Sequence, residues 1–389
     1  MEMIYIAKDI PLWQVTIWDK KFNNVDKKWQ PKTIKYKYLL SDELDSLRVD
    51  DGDVRILYTG KDVGFTTEEL AGDRLSEGEI ISIPWGGIPT VKYHKGKFVT
   101  GDNRIATSKD INKLTNKYLY YFMRGNIHEI ASYYRGASLK HPCMKDILKM
   151  TISYPSVQEQ DKICGQFDVL EQIIEVRKQE LQLLDDLIKA RFVEMFNLSD
   201  CIYKSLGECT DFVDYRGHTP ELSDEGIIRM VNAKSVGKGF FKYVDEFVTE
   251  ETYDAWMHSV FGYPGDILFV TEGHTFGNTC LIPEDMTKFA LGQRVITIKG
   301  KEEIKNAFLC SYMQTDMFWK DINVYRTGGT AQGIRSKDLV KVMVPIPPIE
   351  QQIEFVRFVH KFDKSKVAVQ KALDETQMLF DSLMQKYFG

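Results

Sequence analysis

Stepping by 4 and then 3 from Ile163, the chain places Ile163, Phe167, Leu170, Ile174, Arg177, Leu181, Leu184, Ile188, Arg191 and Met195 on one line, and eight of these ten are apolar. Apolar residues every 3.5 positions over more than four heptads make a coiled-coil seam, narrower than the face of an ordinary surface helix. The same pattern returns 192 residues later as Phe355, Val359, Phe362, Lys366, Val369, Leu373, Thr376, Phe380, Leu383 and Tyr387, again with eight apolar positions. Two matching seams at a constant offset predict one helix pair, each helix covering the other. Ser156 with Glu159 has the form of a capping box, for which Pro348 and Gln351 stand in the second copy. Asn197 and Gly389, residue types that tolerate the left-handed conformation, mark the far ends. Each helix, about 40 residues at about 1.5 Å per residue, would be about 60 Å long.

The segments between the helices also repeat. Glu79–Ile83 reads as a buried strand after Gly78, Val99–Ile105 as a second strand, and Lys117–Met123 as a short helix or strand. A basic loop, Tyr134–Lys140, precedes a final expected strand over Lys145–Ile152. In the third quarter of the chain, Gly265–Val270 stands for the Gly78 strand and Gln293-Arg294-Val295 for Asn103-Arg104-Ile105, while Lys337–Lys341 stands for Lys145–Lys149. The offsets are 187, 190 and 192. Self-similarity at half the chain length gives the domain plan: a globular domain over 1–155, a helix over 156–197, a second globular domain over 198–347 and a helix over 348–389. The second domain joins the end of one helix to the start of the other. A compact domain therefore forces the helices antiparallel and relates the two domains by a pseudo-twofold axis. Two similar heads on one spacer form a bivalent recognition device.

Charge changes this picture little. The net −5 divides into +4 over residues 1–155, −4 over 156–198, −5 over 199–347 and zero over 348–389, so any contact with nucleic acid must come from local patches. The six cysteines form no CxxC pair and read as reduced structural thiols. The absence of an apolar run of about 18 residues and of a signal-like start points to a cytoplasmic protein.

The sequence has no GxxxxGK[ST] phosphate loop and no [DN]-P-P-[FYW] stretch for base methylation, and its seven histidines show no metal spacing. Asp285 with Glu303 and Lys305 imitates a nuclease carboxylate set, a loose pattern that chance supplies in chains of this length. Binding without catalysis is the expectation, with no catalytic residue, metal or cofactor on this chain.

Several stretches of the second domain, taken in order, carry a resemblance: Arg216–Pro220 (RGHTP), Ile228–Asn232, Pro264–Leu268 with the turn at Gly273, Arg326–Gly333 (RTGGTAQG), and Lys337–Pro348 followed by Glu350-Gln351-Gln352. The first domain repeats the closing part as Pro155–Gln160 (PSVQEQ), although its opening, Thr16–Phe22, departs from the Gly-x-Thr-Pro pattern. In this order and duplication the chain resembles the specificity subunit of type I restriction–modification systems. The fold class implied is α+β, two pseudo-twofold-related target-recognition domains joined by two long antiparallel coiled-coil helices. The resemblance implies that each domain reads one half of a bipartite site in double-stranded DNA. It also implies that the helix pair sets the gap and docks two modification subunits. Those adenine-N6 methyltransferases would bring S-adenosylmethionine, and restriction subunits would add ATP- and Mg²⁺-dependent motor and nuclease activity.

Base edges need forked donors and phosphates need charge, so the DNA-binding candidates are polar, basic and aromatic residues on loops. In the first domain they are Lys61, Trp85, Arg104, Tyr134, Arg135, Ser138, Lys140 and His141. In the second they are Arg216, His218, Thr219, Lys234, His274, Arg294, Arg326, Thr330, Gln332 and Arg335. Arg177 and Arg191 interrupt the first seam, either snorkelling at its edge or choosing its register. The competing reading is a duplicated protein-interaction scaffold without a DNA role, favoured slightly by the acidic second domain. A standalone nuclease built on Glu303 is third.

Overall fold

The computed structural model describes residues 5–19, 34–60, 63–198, 201–214, 220–257, 262–327 and 332–389. The chain divides into two compact units, Met1–Arg177 with Ala372–Gly389, and Lys178–Lys371. The long helices run over Val157–Met195 and Ile349–Phe388, so each contributes one portion to each unit.

The first unit opens with strands β1 (Ala7–Pro11), β2 (Thr16–Trp18), β3 (Val54–Leu57), β4 (Val63–Thr66), β5 (Ser76–Pro84), β6 (Lys92–Thr100) and β7 (Asn103–Ser108). Strands β2 to β7 form one six-stranded sheet in the order β2-β7-β5-β6-β3-β4, with β3 and β6 parallel and the other neighbours antiparallel. A helix over Asn116–Gly125, the hairpin strands β8 (Tyr134–Arg135) and β9 (His141–Pro142), and β10 (Thr151–Tyr154), which pairs with β1, follow.

Two expectations for this unit need correction. Val99–Ile105 is not one strand, because the chain reverses at Gly101-Asp102 and gives the ends of β6 and β7. Lys145–Ile152 is not one strand either. Met144–Ile147 is a helical turn that buries Met144, Ile147 and Leu148, a 3-and-4 spacing, before β10 begins. The matching stretch of the second unit does the same, with a helix over Ser336–Leu339.

The second unit contains β11 (Ile202–Ser205), β12 (Thr210–Asp214), β13 (Ile228–Val231), β14 (Phe247–Val248), β15 (Ile267–Val270), β16 (Thr279–Leu281), β17 (Phe289–Leu291), β18 (Val295–Gly300) and β19 (Met343–Ile346). Its four-stranded sheet, β12-β18-β15-β16, repeats the β2-β7-β5-β6 order of the first unit, while β14-β13-β17 form a separate sheet and β11 pairs with β19 as β1 does with β10.

Single hydrogen bonds fix the correspondence between the units. Asn116 Oδ1 accepts from the Ser108 amide (2.7 Å) and its Nδ2 donates to the Glu79 carbonyl (3.2 Å). Asn306 does the same with Gly300 (2.6 Å) and Gly265 (2.9 Å). Glu79, rather than Gly78, therefore stands at the place of Gly265. Likewise the Trp85 amide donates to the Asp102 carbonyl and the Thr271 amide to the Arg294 carbonyl, both at 2.9 Å. Asp102, two residues before the expected Arg104, is thus the counterpart of Arg294.

Each unit packs the start of one long helix against the end of the other. In the first unit Phe167 meets Phe380 (ring centroids 5.3 Å apart) and Phe388 (5.8 Å). In the second, Phe192 meets Phe355 at 5.4 Å and the head residue Phe308 at 5.5 Å. Removing each such ring from water contributes about 1.5–3 kcal/mol. Within the second unit Asp185 pairs with Lys366 and Arg191 with Glu354, so the helices run antiparallel there. Of the expected seam, Ile163, Phe167, Leu170, Ile174, Phe355, Val359, Leu373 and Phe380 are buried, and Leu181, Leu184, Ile188, Met195, Phe362, Val369, Leu383 and Tyr387 are half-buried. Arg191 lies over the Phe358 ring while its guanidinium reaches Glu194 and Glu354, and Lys366 fills its seam position by pairing with Asp185.

Candidate nucleic-acid interface

In the first unit, three segments meet where β5 ends. The loop after β5 carries Trp85, Gly86 and Gly87. The turn before β7 carries Asp102, and the β8–β9 hairpin presents Gly136–Lys140 at its tip. Gly87 takes a φ of +95°, which favours glycine, and its amide donates to the Lys140 carbonyl at 3.3 Å. His141 Nδ1 lies 2.7 Å from the Trp85 carbonyl. A carbonyl only accepts, so Nδ1 carries the proton. The His141 ring lies 5.3 Å from that of Trp85. Arg135, Ser138 and Lys140 are exposed along the hairpin, Arg135 paired with Asp146 at 2.7 Å.

Two candidates of this unit do not face outward. Arg104 is 1% exposed and bonds Asp19, itself fully buried, at 3.0 Å, with Asp102 as a second partner. Its guanidinium carbon sits 4.7 Å from the Trp85 ring and 5.3 Å from that of Tyr38. Arg104 therefore holds the loop from beneath and is out of reach of a ligand. Tyr134 is buried and donates to the Pro84 carbonyl at 2.8 Å; burial pushes its phenol pKa well up.

The second unit builds the same cradle from other side chains. The Gly273 amide (φ +98°) donates to the Gln332 carbonyl at 2.9 Å, the Ile334 amide to Thr271 at 2.9 Å, and the Thr327 amide to Gly333 at 2.8 Å. These bonds bring His274, Arg294, Arg326 and Gln332 together, all exposed, with Arg326 Nη1 donating to Gln332 Oε1 at 3.3 Å. Arg294 Nε lies 3.3 Å from Glu272 Oε1. Arg335 is exposed and pairs with Asp338 at 3.0 Å. Beside Arg294 a cleft of about 300 Å³ is lined by Leu222, Met230, Asn232, Ala233, Lys234, Gly292 and Gln293. Hydrogen bonds from Lys234 and then Asn232 hold the Glu246 carboxyl pKa below its ordinary value, giving the cleft a fixed negative group under its lysine. Lys61, Arg216, His218, Thr219 and Thr330 lie outside the described residues.

Sequence reasoning missed Asp102, Glu246 and Glu272. An acidic side chain carries no DNA-binding signal in a sequence, and only the folded turns reveal the neighbours of these three. Among the described residues no group of three or more His, Cys, Asp or Glu side chains could hold a metal ion. Asp285 and Glu303 have separate partners, Tyr243 at 2.7 Å and Lys204 at 2.6 Å. No described helix is long and apolar enough to cross a membrane.

A duplicated cradle of exposed arginine, histidine and amide groups suits nucleic-acid edges, and the family comparison decides the class. The type I restriction modification DNA specificity domain matches this chain twice, over residues 44–185 and 218–376. The chain belongs to that family. The specificity subunit of the EcoDI type I restriction enzyme of Escherichia coli is 22% identical over 340 residues, spanning 77% of this chain and 74% of that one. The EcoR124I/EcoR124II specificity subunit, also from Escherichia coli, is 25% identical over 280 residues, 67% of this chain and 66% of that one. The solved S subunit of a type I restriction-modification system from M. genitalium has the same fold. It matches with a TM-score of 0.60 at 16% identity, over 98% of this chain and 96% of that one. This specificity subunit recognises DNA sequence, and it is a non-catalytic member of its system.

Proposed function

We propose that each unit of this specificity subunit reads one half of a bipartite site in double-stranded DNA and that the paired long helices set the gap between the halves. The observation that carries this reading is the cradle. Through the amides of Trp85 and Gly87 in one unit and Thr271 and Gly273 in the other, the same main-chain bonds hold Asp102 and Lys140 in the first and Arg294 and Gln332 in the second, one scaffold with two sets of side chains. Two modification subunits, adenine-N6 methyltransferases that bring S-adenosylmethionine, dock along the helices, and restriction subunits with ATP and Mg²⁺ complete the assembly. Apolar side chains exposed on the first long helix, Val169 and Val176 in one unit and Leu183 and Leu187 in the other, support the docking role.

The test is a matched deletion of one heptad from both long helices. It shortens the spacer by about 10 Å and changes the preferred gap by roughly three base pairs at about 3.4 Å each. Methylation by the reconstituted complex at an unchanged gap would sink the reading.

A further inference from the structure

The counterparts of Glu272 and Arg294 in the first unit are Gly86 and Asp102, as the paired amide-to-carbonyl bonds establish. At one place in the cradle, then, one unit carries an acceptor and the other a donor fork. Asp102 is occupied by the buried Arg104. Arg294 and Glu272 pair with each other at 3.3 Å, with about half of each side chain open to solvent.

The main chain under the pair is pinned by hydrogen bonds. The Arg294 carbonyl accepts from both the amide and the hydroxyl of Thr271 (2.9 and 3.1 Å), and Glu272 is bridged to Gly333. An exposed ion pair is weak in water, so its two groups can be exchanged for base edges at little cost. Backbone anchoring keeps both aimed from the same spot before a ligand arrives.

We propose that Arg294 and Glu272 together read one G·C base pair in the major groove of the half-site taken by the second unit. Arg294 donates its fork to guanine N7 and O6, and Glu272 accepts from cytosine N4. The three groups lie side by side on the edge of that pair. An A·T pair would set adenine's N6 donor against the arginine fork and give the carboxylate no donor from thymine. The first unit has no side chain at Gly86 and an acceptor at Asp102, so it cannot read a pair in this way. This inference rests on the DNA-reading role proposed above.

The experiment uses the full chain co-expressed with a modification subunit, a plasmid library as substrate, and single-molecule sequencing to read the methylated motif. The wild-type motif should require G·C at one position of one half-site. Arg294→Ala and Glu272→Ala should each lower discrimination there by roughly 5- to 150-fold and leave every other position unchanged. Arg294→Lys, which keeps the charge and loses the fork, should not restore it. Unaltered motifs in both variants, losses at two different positions, or full discrimination with lysine would each overturn the inference. Methylation without any motif by the wild-type complex would instead overturn the reading on which it rests.

Discussion

Gln160 and Gln352 make the same three hydrogen bonds in the two units, each from a fully buried side chain in the first turn of its long helix. Gln160 Nε2 donates to the carbonyls of Pro155 (2.9 Å) and Lys113 (2.7 Å), and its Oε1 accepts from the Thr115 amide (2.9 Å). Gln352 repeats this with Pro347 (2.8 Å), Glu303 (3.0 Å) and Lys305 (2.8 Å). A single amide thereby ties each helix start to the loop ahead of a head helix. Gln160→Leu or Gln352→Leu strips the side-chain partner from one buried and two part-buried main-chain groups, and a loss of about 1–3 kcal/mol is expected. Urea unfolding of the full chain, followed by the midpoint of the affected transition, measures it.

Arg104 predicts a second stability effect. Removing it takes this guanidinium counter-charge from the buried Asp19 carboxylate, which also accepts from the Ile105 amide (2.7 Å). Arg104→Ala should cost about 3–5 kcal/mol and loosen Trp85, whose fluorescence reports the change.

Exposed cations should behave in the opposite way. Lys140→Ala and Arg326→Ala should alter stability by no more than about 0.5 kcal/mol. If each touches a phosphate, each lowers the slope of log affinity against log salt by about 1. A salt titration of duplex binding by the assembled complex supplies the number. An unchanged slope would remove that residue from the interface.

Asp363, on the second long helix, predicts a pH effect. Burial, and to a lesser degree Asp185, raises its carboxyl pKa against the opposing pull of Lys366 and His360. A raised folded pKa means that the native state binds the extra proton. Stability therefore falls as pH rises from the ordinary value of 3.8 through the folded pKa, and the full penalty stands above it. Asp363→Asn should unfold at a higher temperature than wild type at pH 7, with the difference shrinking on acidification. Equal melting temperatures at neutral pH would contradict this.

Much of the architecture was legible because seams and repeats are local patterns. Phe167 and Phe380 announce themselves by spacing, and Gln160 and Gln352 share the offset of their helices, although periodicity gives no hint that they are buried. The errors arose where the third dimension decides. Arg104 and Arg294 look alike in neighbouring sequence, yet the hydrogen bonds of Trp85 and Thr271 shift the match by two residues and put Ile296, not Arg294, at the place of Arg104. The partner that buries Arg104, Asp19, lies 85 residues away and belongs to no motif. Glu272 carried no signal at all until its turn was folded beside Arg294.

The packing of Phe388 on the first unit bears on how the chain is made. Its ring lies 5.2 Å from that of Tyr118, and its carbonyl accepts from Asn126 Nδ2 at 3.0 Å. The second unit is one continuous stretch, whereas the first lacks its closing helix segment until residues 372–389 emerge from the ribosome. During synthesis the head made earliest is therefore finished last, with Phe167 and Tyr118 waiting uncovered while the later head folds. A nascent chain that stops short of Phe388 would still yield an intact second unit but a first unit with an open apolar seat, a species for chaperones to catch.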